Sequence, residues 1–152
     1  MSKDLKHMLH ARFIGDTYSK DQSTKVGALI MSDSNEPLSW GYNGLPRGVN
    51  DSPEDHPERH DRTKVKYFWA EHSERNAIYS AARNGHKLFG SKIYVSRLPT
   101  CADCARAIVQ AGIKEVFIEA GVTSVERWHE SWKLAKEIYD EAGVTVTEIP
   151  MS

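Results

Sequence analysis

Two short clusters, His72-Ser73-Glu74 and Cys101-Ala102-Asp103-Cys104, restrict the folds open to this chain more than any other feature. One imidazole and two thiolates make a ligand set for Zn²⁺ that leaves the fourth coordination position to water. A carboxylate two residues from the imidazole is placed to move protons beside that water. Separately, each cluster says little. A lone histidine is most often satisfied within a core, and an isolated C-x-x-C serves metal binding or redox chemistry. Together they demand a fold that brings His72 and the Cys101–Cys104 pair to one point. Residues three apart share a helix face, so the two cysteines can meet one ion. His72 and Glu74, two apart, lie about 200° apart on a regular helix. They converge only where His72 sits at a helix N-terminus, and the positive end of the helix dipole also favours thiolate there.

Hydrophobic periodicity supplies the frame. Residues 3 to 19 read as an amphipathic helix with Leu5, Met8, Leu9, Phe13 and Ile14 mostly on one stripe. Residues 25–31 read as a buried strand and 38–42 as its hairpin partner, across the turn cluster 33–37. Helical spacing resumes from Glu71, with Ala77, Ile78, Ala81 and Ala82 inward. A strand over 92–96, a helix over 101–112, a strand over 114–119, a helix over 124–142 and a short strand over 145–149 complete the chain. Strands alternating with helices predict an α/β sandwich around a central sheet, in a single domain over residues 1–152. Between 41 and 51 the chain is dense in glycine and proline. Asn43-Gly44 there reads as a turn dipeptide, because both residues tolerate positive φ. Residues 51–66 read as a long polar surface loop.

Charge excludes some partners. The net charge is −1 with no basic run, whereas a nucleic-acid polymer requires a strongly basic footprint. A small anionic ligand needs only a few local donors. Two cysteines separated by two residues suit metal or redox use inside the cell rather than a secreted disulfide scaffold, so a cytoplasmic location is expected. The absence of a long apolar run predicts no membrane partner.

The pair H-x-E and C-x-x-C matches the signature of zinc deaminases that act on nucleobases. The chain resembles the deoxycytidylate (dCMP) deaminases of the cytidine deaminase superfamily. The likeness covers about residues 12 to 118, through residues 19–28 (SKDQSTKVGA), 41–48 (GYNGLPRG), 71–78 (EHSERNAI) and 101–108 (CADCARAI). The 41–48 stretch is the most discriminating, since generic nucleoside and base deaminases lack it. The resemblance implies a three-layer α/β/α sandwich with a central mixed five-stranded sheet. It also implies hydrolysis of dCMP to dUMP and ammonia, which supplies thymidylate synthesis, with one Zn²⁺ per chain on His72, Cys101 and Cys104 and with Glu74 as the catalytic acid/base. Asn43, the backbone of Ser73 and Lys25 become candidate substrate contacts. Gly41, Tyr42, Gly44, Pro46, Arg47 and Gly48 become candidates for binding dCTP and dTTP effectors, with Mg²⁺ accompanying the nucleotide. A homo-oligomer, most often a hexamer, is implied as well.

Two departures stand out: serine at 73 where alanine is commonest, and Pro99-Thr100-Cys101 where proline normally precedes cysteine directly. Donors for a 5′-phosphate are Ser23, Lys25, Arg47, Arg62, Lys64, Lys66 and Arg97, with Lys25 and Arg47 favoured for their place beside the motifs. Most charged side chains are simply solvated. Trp128 and Trp132, four apart, read as core or oligomer contact rather than a stacking platform. A deaminase of cytidine, deoxycytidine or another pyrimidine nucleotide is the nearest alternative. An inactive zinc-stabilised nucleotide binder and a thiol–disulfide oxidoreductase are the others.

Overall fold

The alternation of apolar runs and helical periods closes into one mixed sheet. The computed structural model describes residues 1–124 and 126–151. Its strands are β1 (Gly27–Met31), β2 (Pro37–Tyr42), β3 (Lys92–Val95), β4 (Glu115–Glu119) and β5 (Thr145–Ile149), in spatial order β2-β1-β3-β4-β5. Strand β1 is antiparallel to both β2 and β3, while β3–β4 and β4–β5 are parallel. The parallel pairs need crossovers, which are the helices α4 (Ala102–Gln110) and α5 (Glu126–Ala142). With α3 (Ser73–Asn84) these pack on one face, and α1 (Lys3–Tyr18) covers the other.

Successive strand residues alternate between the two layers, as the period of two requires. Ala28, Ile30, Ile93, Val95, Val116 and Ile118 face α3, α4 and α5. Leu29, Met31, Tyr94 and Phe117 face α1. Burial on both faces explains why these strands read as continuous apolar runs.

The face that α1 presents differs from the expected stripe. Met8, Ala11, Ile14 and Gly15 are buried, whereas Leu9 and Phe13 are exposed. Close backbone approach is the reason. A Cβ on Gly27 would lie 1.8 Å from the Ala11 carbonyl oxygen, and one on Gly15 would lie 2.6 Å from the Gly27 nitrogen. The helix therefore turns its smallest residues onto β1 and leaves Leu9 and Phe13 outward.

Two loop expectations also change. Asn43 and Gly44 do not take positive φ. Instead Gly44 pairs antiparallel with Glu71, each N–H donating to the other's carbonyl at 3.1 and 2.7 Å. The strand direction of β2 thus runs on to the residue before His72. The 51–66 loop holds a 3₁₀ turn at Pro57–His60, and a short helix, α2 (Lys66–Trp69), follows it. Among the described residues no helix is long and apolar enough to cross a membrane.

Candidate metal centre and cleft

Two helix starts meet beside the sheet. His72 occupies the N-cap position of α3, and Cys101 that of α4. What sets α3 so close is Gly41 of β2, where a Cβ would come within 2.5 Å of both the Ala77 nitrogen and the Ser73 carbonyl oxygen. Asn76 then donates to the Tyr42 carbonyl at 2.8 Å, and Ser39 to the Ala77 carbonyl at 2.7 Å. These contacts fix the first turn of α3 to β2.

Nδ1 of His72 lies 3.3 Å from Sγ of Cys101 and 3.4 Å from Sγ of Cys104. All three ligand atoms lie within 4.8 Å of one another, the one such cluster among the described residues. Tetrahedral Zn²⁺ with bonds of about 2.3 Å to sulfur and about 2.0 Å to nitrogen sets N···S near ~3.5 Å, so the donor set fits zinc. The Cys104 S–H and His72 stabilise Cys101 as thiolate and hold it well below the ordinary thiol range. Contact with Cys101 in turn raises the imidazole above its ordinary value. Arg75 stands behind the centre, paired with Glu71 and Asp103.

Glu74, only 4% exposed, follows in the first turn of α3. Ser73 donates its hydroxyl to Oε1 of Glu74 at 2.7 Å. The serine that replaces the commoner alanine therefore orients the carboxylate through its side chain, in addition to anything its backbone contacts.

His72, Ser73 and Glu74 form one wall of a cleft that opens to solvent. Asp21, Ser23, Thr24, Asn43, Lys66 and Tyr67 line it, together with Pro99, Arg127 and Trp128. Asn43 is largely committed to the framework. Its Oδ1 accepts from Ser19 at 2.8 Å and from the Val26 N–H at 2.9 Å, and its Nδ2 donates to the Thr24 carbonyl at 2.8 Å. One N–H remains for a ligand.

The lysine that sequence position favoured does not reach this cleft. Lys25 is exposed and outside the lining, as are Arg62 and Lys64, and Arg97 pairs with Asp16 at 2.8 Å. Lys66 reaches it instead. It is buried and bonded to Asp21 at 2.9 Å, and it comes from the short helix that the polar loop concealed. Trp132 packs against the core, but Trp128 forms cleft wall, and its buried Nε1 has no hydrogen-bond partner among the described residues. The sequence offered no signal for that split beyond the four-residue spacing.

The 41–48 loop separates this region from a second recess. Tyr42, Gly44, Pro46, Arg47 and Gly48 line that recess with Tyr18, Lys20, Arg59 and His60, while Gly41 is packed beneath α3. Asp21, Asn43, Lys66 and Ala70 belong to both walls.

The family model described as cytidine and deoxycytidylate deaminase zinc-binding region matches residues 1–120. The chain belongs to this deaminase family. An uncharacterized deaminase of the luxG 3′ region of Aliivibrio fischeri is 36% identical over 99% of this chain and 97% of its own length. The deoxycytidylate deaminase of Homo sapiens is 33% identical over 92% of this chain and 76% of its own. Among solved structures, the dCMP deaminase of cyanophage S-TIM5, in complex with dCMP and dUMP, superposes with a TM-score of 0.72. At 22% identity it covers 98% of this chain and 99% of that one, a likeness of fold. The five-stranded mixed sheet of this deaminase-family protein is that shared fold, and His72, Cys101 and Cys104 form a cluster able to hold a metal ion.

Proposed function

We propose that the protein hydrolyses dCMP to dUMP and ammonia. The observation that carries this is the placement of Glu74 and of His72, which meets Cys101 and Cys104 behind it, in the wall of one cleft whose other lining offers donors to an anion. The deoxycytidylate deaminases among its relatives support the substrate class. When bound, the zinc ion, one per chain, supplies Lewis-acid activation of water at neutral pH. Glu74 takes one proton from the attacking water and passes it to N3 of the cytosine ring, then takes the proton left on the new C4 hydroxyl and delivers it to the amine as the C4–N bond breaks. Water is consumed, ammonia leaves C4, and uracil remains. Ser73 holds Glu74 in line, and the free N–H of Asn43 meets the substrate. Lys66 and Ser23, rather than the exposed Lys25, receive the 5′-phosphate.

The second recess supports a regulatory reading. Lys20, Arg47, Arg59 and Lys66 line it, Lys20 and Lys66 paired with Asp51 and Asp21 of the same recess, and this mixture of cations and carboxylates suits the phosphates of dCTP or dTTP with Mg²⁺. Exposed Phe13, Tyr18 and Trp40, the last two with ring centroids 5.1 Å apart, suit burial in a homo-oligomer, a hexamer in the family pattern. Thiolate ligands suit a reducing cytoplasm.

The test is ammonia release from purified protein given dCMP and deoxycytidine in parallel. Turnover of dCMP with little turnover of deoxycytidine is the expected result. Preference for the nucleoside would move the protein to nucleoside deamination, and no turnover of either by zinc-loaded protein would refute the proposal.

A further inference from the structure

The additional residue before the cysteine pair has a structural destination. Thr100 is fully buried, and its Oγ1 lies 2.7 Å from the hydroxyl of Tyr139 on α5, itself fully buried. Two turns earlier on the same helix, Ser131 Oγ accepts from the backbone N–H of Ala102 at 3.0 Å. That N–H belongs to the first turn of α4, where backbone donors have no partner within the helix. Residues 128, 131, 135 and 139 recur at three- and four-residue spacing and so share one face of α5. The contacts therefore grip the chain immediately before and immediately after Cys101, and Trp128 of the same face forms cleft wall.

Cys101 needs such a grip. It caps α4 rather than lying within it, and its Sγ accepts the Cys104 N–H at 3.4 Å. The residues leading to it lie beyond the end of β3, and Arg97 there takes a left-handed φ of 65°. Among the described residues, pairing with β1 ends at Ser96, whose N–H donates to the Gly27 carbonyl at 3.0 Å, and no ladder follows it over 97–101. Either hydroxyl of the Thr100–Tyr139 pair can donate to the other, and burial pushes the Tyr139 pKa well above the usual phenol range and keeps it protonated.

We propose that α5 is the positioning element of the metal loop, with Thr100 and Tyr139 as positioning residues that set how tightly zinc is held. This rests on the zinc reading of the His72–Cys101–Cys104 cluster. Groups that orient metal ligands without touching the ion commonly change affinity by about 10–100-fold.

The test compares zinc affinity, by competition with a chromophoric chelator at 25 °C, across Thr100→Val, Tyr139→Phe, the double variant, Thr100→Ser and Ser131→Ala. Phe117→Leu, on the opposite face of the sheet, controls for general loss of stability. The expected result is about 10-fold weaker zinc binding in each of the first two variants. The double variant should be no weaker than either single one, because both remove the same bond. Thr100→Ser should bind as the wild type does, and Ser131→Ala should weaken binding in the same direction. Phe117→Leu should melt earlier yet hold zinc normally. Wild-type affinity in Thr100→Val and Tyr139→Phe would overturn the proposal, as would equal zinc loss in Phe117→Leu. If Tyr139→Phe does not fold, Thr100→Val and Ser131→Ala decide. A wild-type chain that binds no zinc would remove the metal reading and this inference with it.

Discussion

Nζ of Lys66 lies 2.9 Å from Oδ2 of Asp21, and both side chains are 9% exposed. The pair joins α2 to the turn after α1, where Asp21 also accepts from the N–H groups of Ser23 and Thr24 at 2.8 and 3.1 Å. It therefore shapes the polar end of the cleft and the wall shared with the second recess. Removing one member of a buried pair leaves an uncompensated charge, at a cost of about 3–5 kcal/mol. Lys66→Met should lose roughly that much in urea unfolding, and adding Asp21→Asn should restore part of it. At temperatures where both fold, Lys66→Met should raise KM for dCMP by ~10-fold or more with kcat less affected, the signature of lost ground-state binding. An unchanged KM would restrict Lys66 to a structural role.

Glu74 carries a different expectation, because its carboxylate is placed for chemistry rather than for holding the substrate. Glu74→Gln keeps the size and the bond from Ser73 but cannot shuttle a proton. Zinc content, measured by atomic absorption, should remain one per chain, while kcat falls by about 10²–10⁴-fold. A largely active Glu74→Gln variant would remove the assigned role.

How much of this was legible beforehand depended on how local the signal was. The strands announced themselves through apolar runs such as Ala28-Leu-Ile30, and the metal cluster through residue types that few structural roles require. The α1 face did not, because it is decided by the Gly15–Gly27 approach, a contact between segments rather than a periodicity. Asn43-Gly44 has turn composition, yet its pairing partner, Glu71, is remote in the chain and out of reach of local propensity. Lys66 was one of seven candidate phosphate donors until α2 and Asp21 singled it out. Thr100 showed as an extra residue, but its purpose depended on Tyr139, which sits on a helix that reads as ordinary amphipathic sequence.

The loop at 41–48 makes regulation testable apart from catalysis. Arg47 is exposed and lines the second recess but not the cleft. If nucleotide triphosphates act there, velocity against dCMP should be sigmoidal and become hyperbolic with dCTP, while dTTP should inhibit. Arg47→Ala should shift the dCTP midpoint upward by ~10-fold, consistent with loss of a charge-assisted phosphate contact, with velocity at saturating dCMP unchanged. Insensitivity of the wild type to both nucleotides would refute the regulatory reading and leave the catalytic one standing.

Acid should weaken the fold through the opposite face of the sheet. Glu119, 4% exposed at the end of β4, accepts from Arg12 Nη2 at 2.6 Å and Nε at 2.8 Å, and from the Arg97 backbone N–H at 2.8 Å. Burial alone would raise its pKa, but the hydrogen bond from Arg12, the Arg97 N–H and the nearby guanidinium charges outweigh burial and hold it below the ordinary 4.5. A carboxyl whose folded pKa is depressed binds protons more readily in the unfolded chain, so stability rises with pH across that interval. Its contribution is fully present above the unfolded value and is lost as pH falls through the folded one. Asp21, depressed beside Lys66 despite its burial, acts in the same direction below its own ordinary 3.8. The contribution of these two carboxylates to the melting temperature should therefore be flat from pH 7 to about 5.5 and be lost below the ordinary carboxylate range. Glu119→Gln should be less stable than wild type at pH 7 by about 1–2 kcal/mol, since the partly exposed Arg12 and the Arg97 N–H lose their anionic acceptor but keep a neutral one. That gap should narrow as pH falls through the depressed folded pKa of Glu119, where the wild-type carboxyl becomes protonated as well. A gap independent of pH would mean that Glu119 contributes through packing and neutral hydrogen bonds, not through its charge.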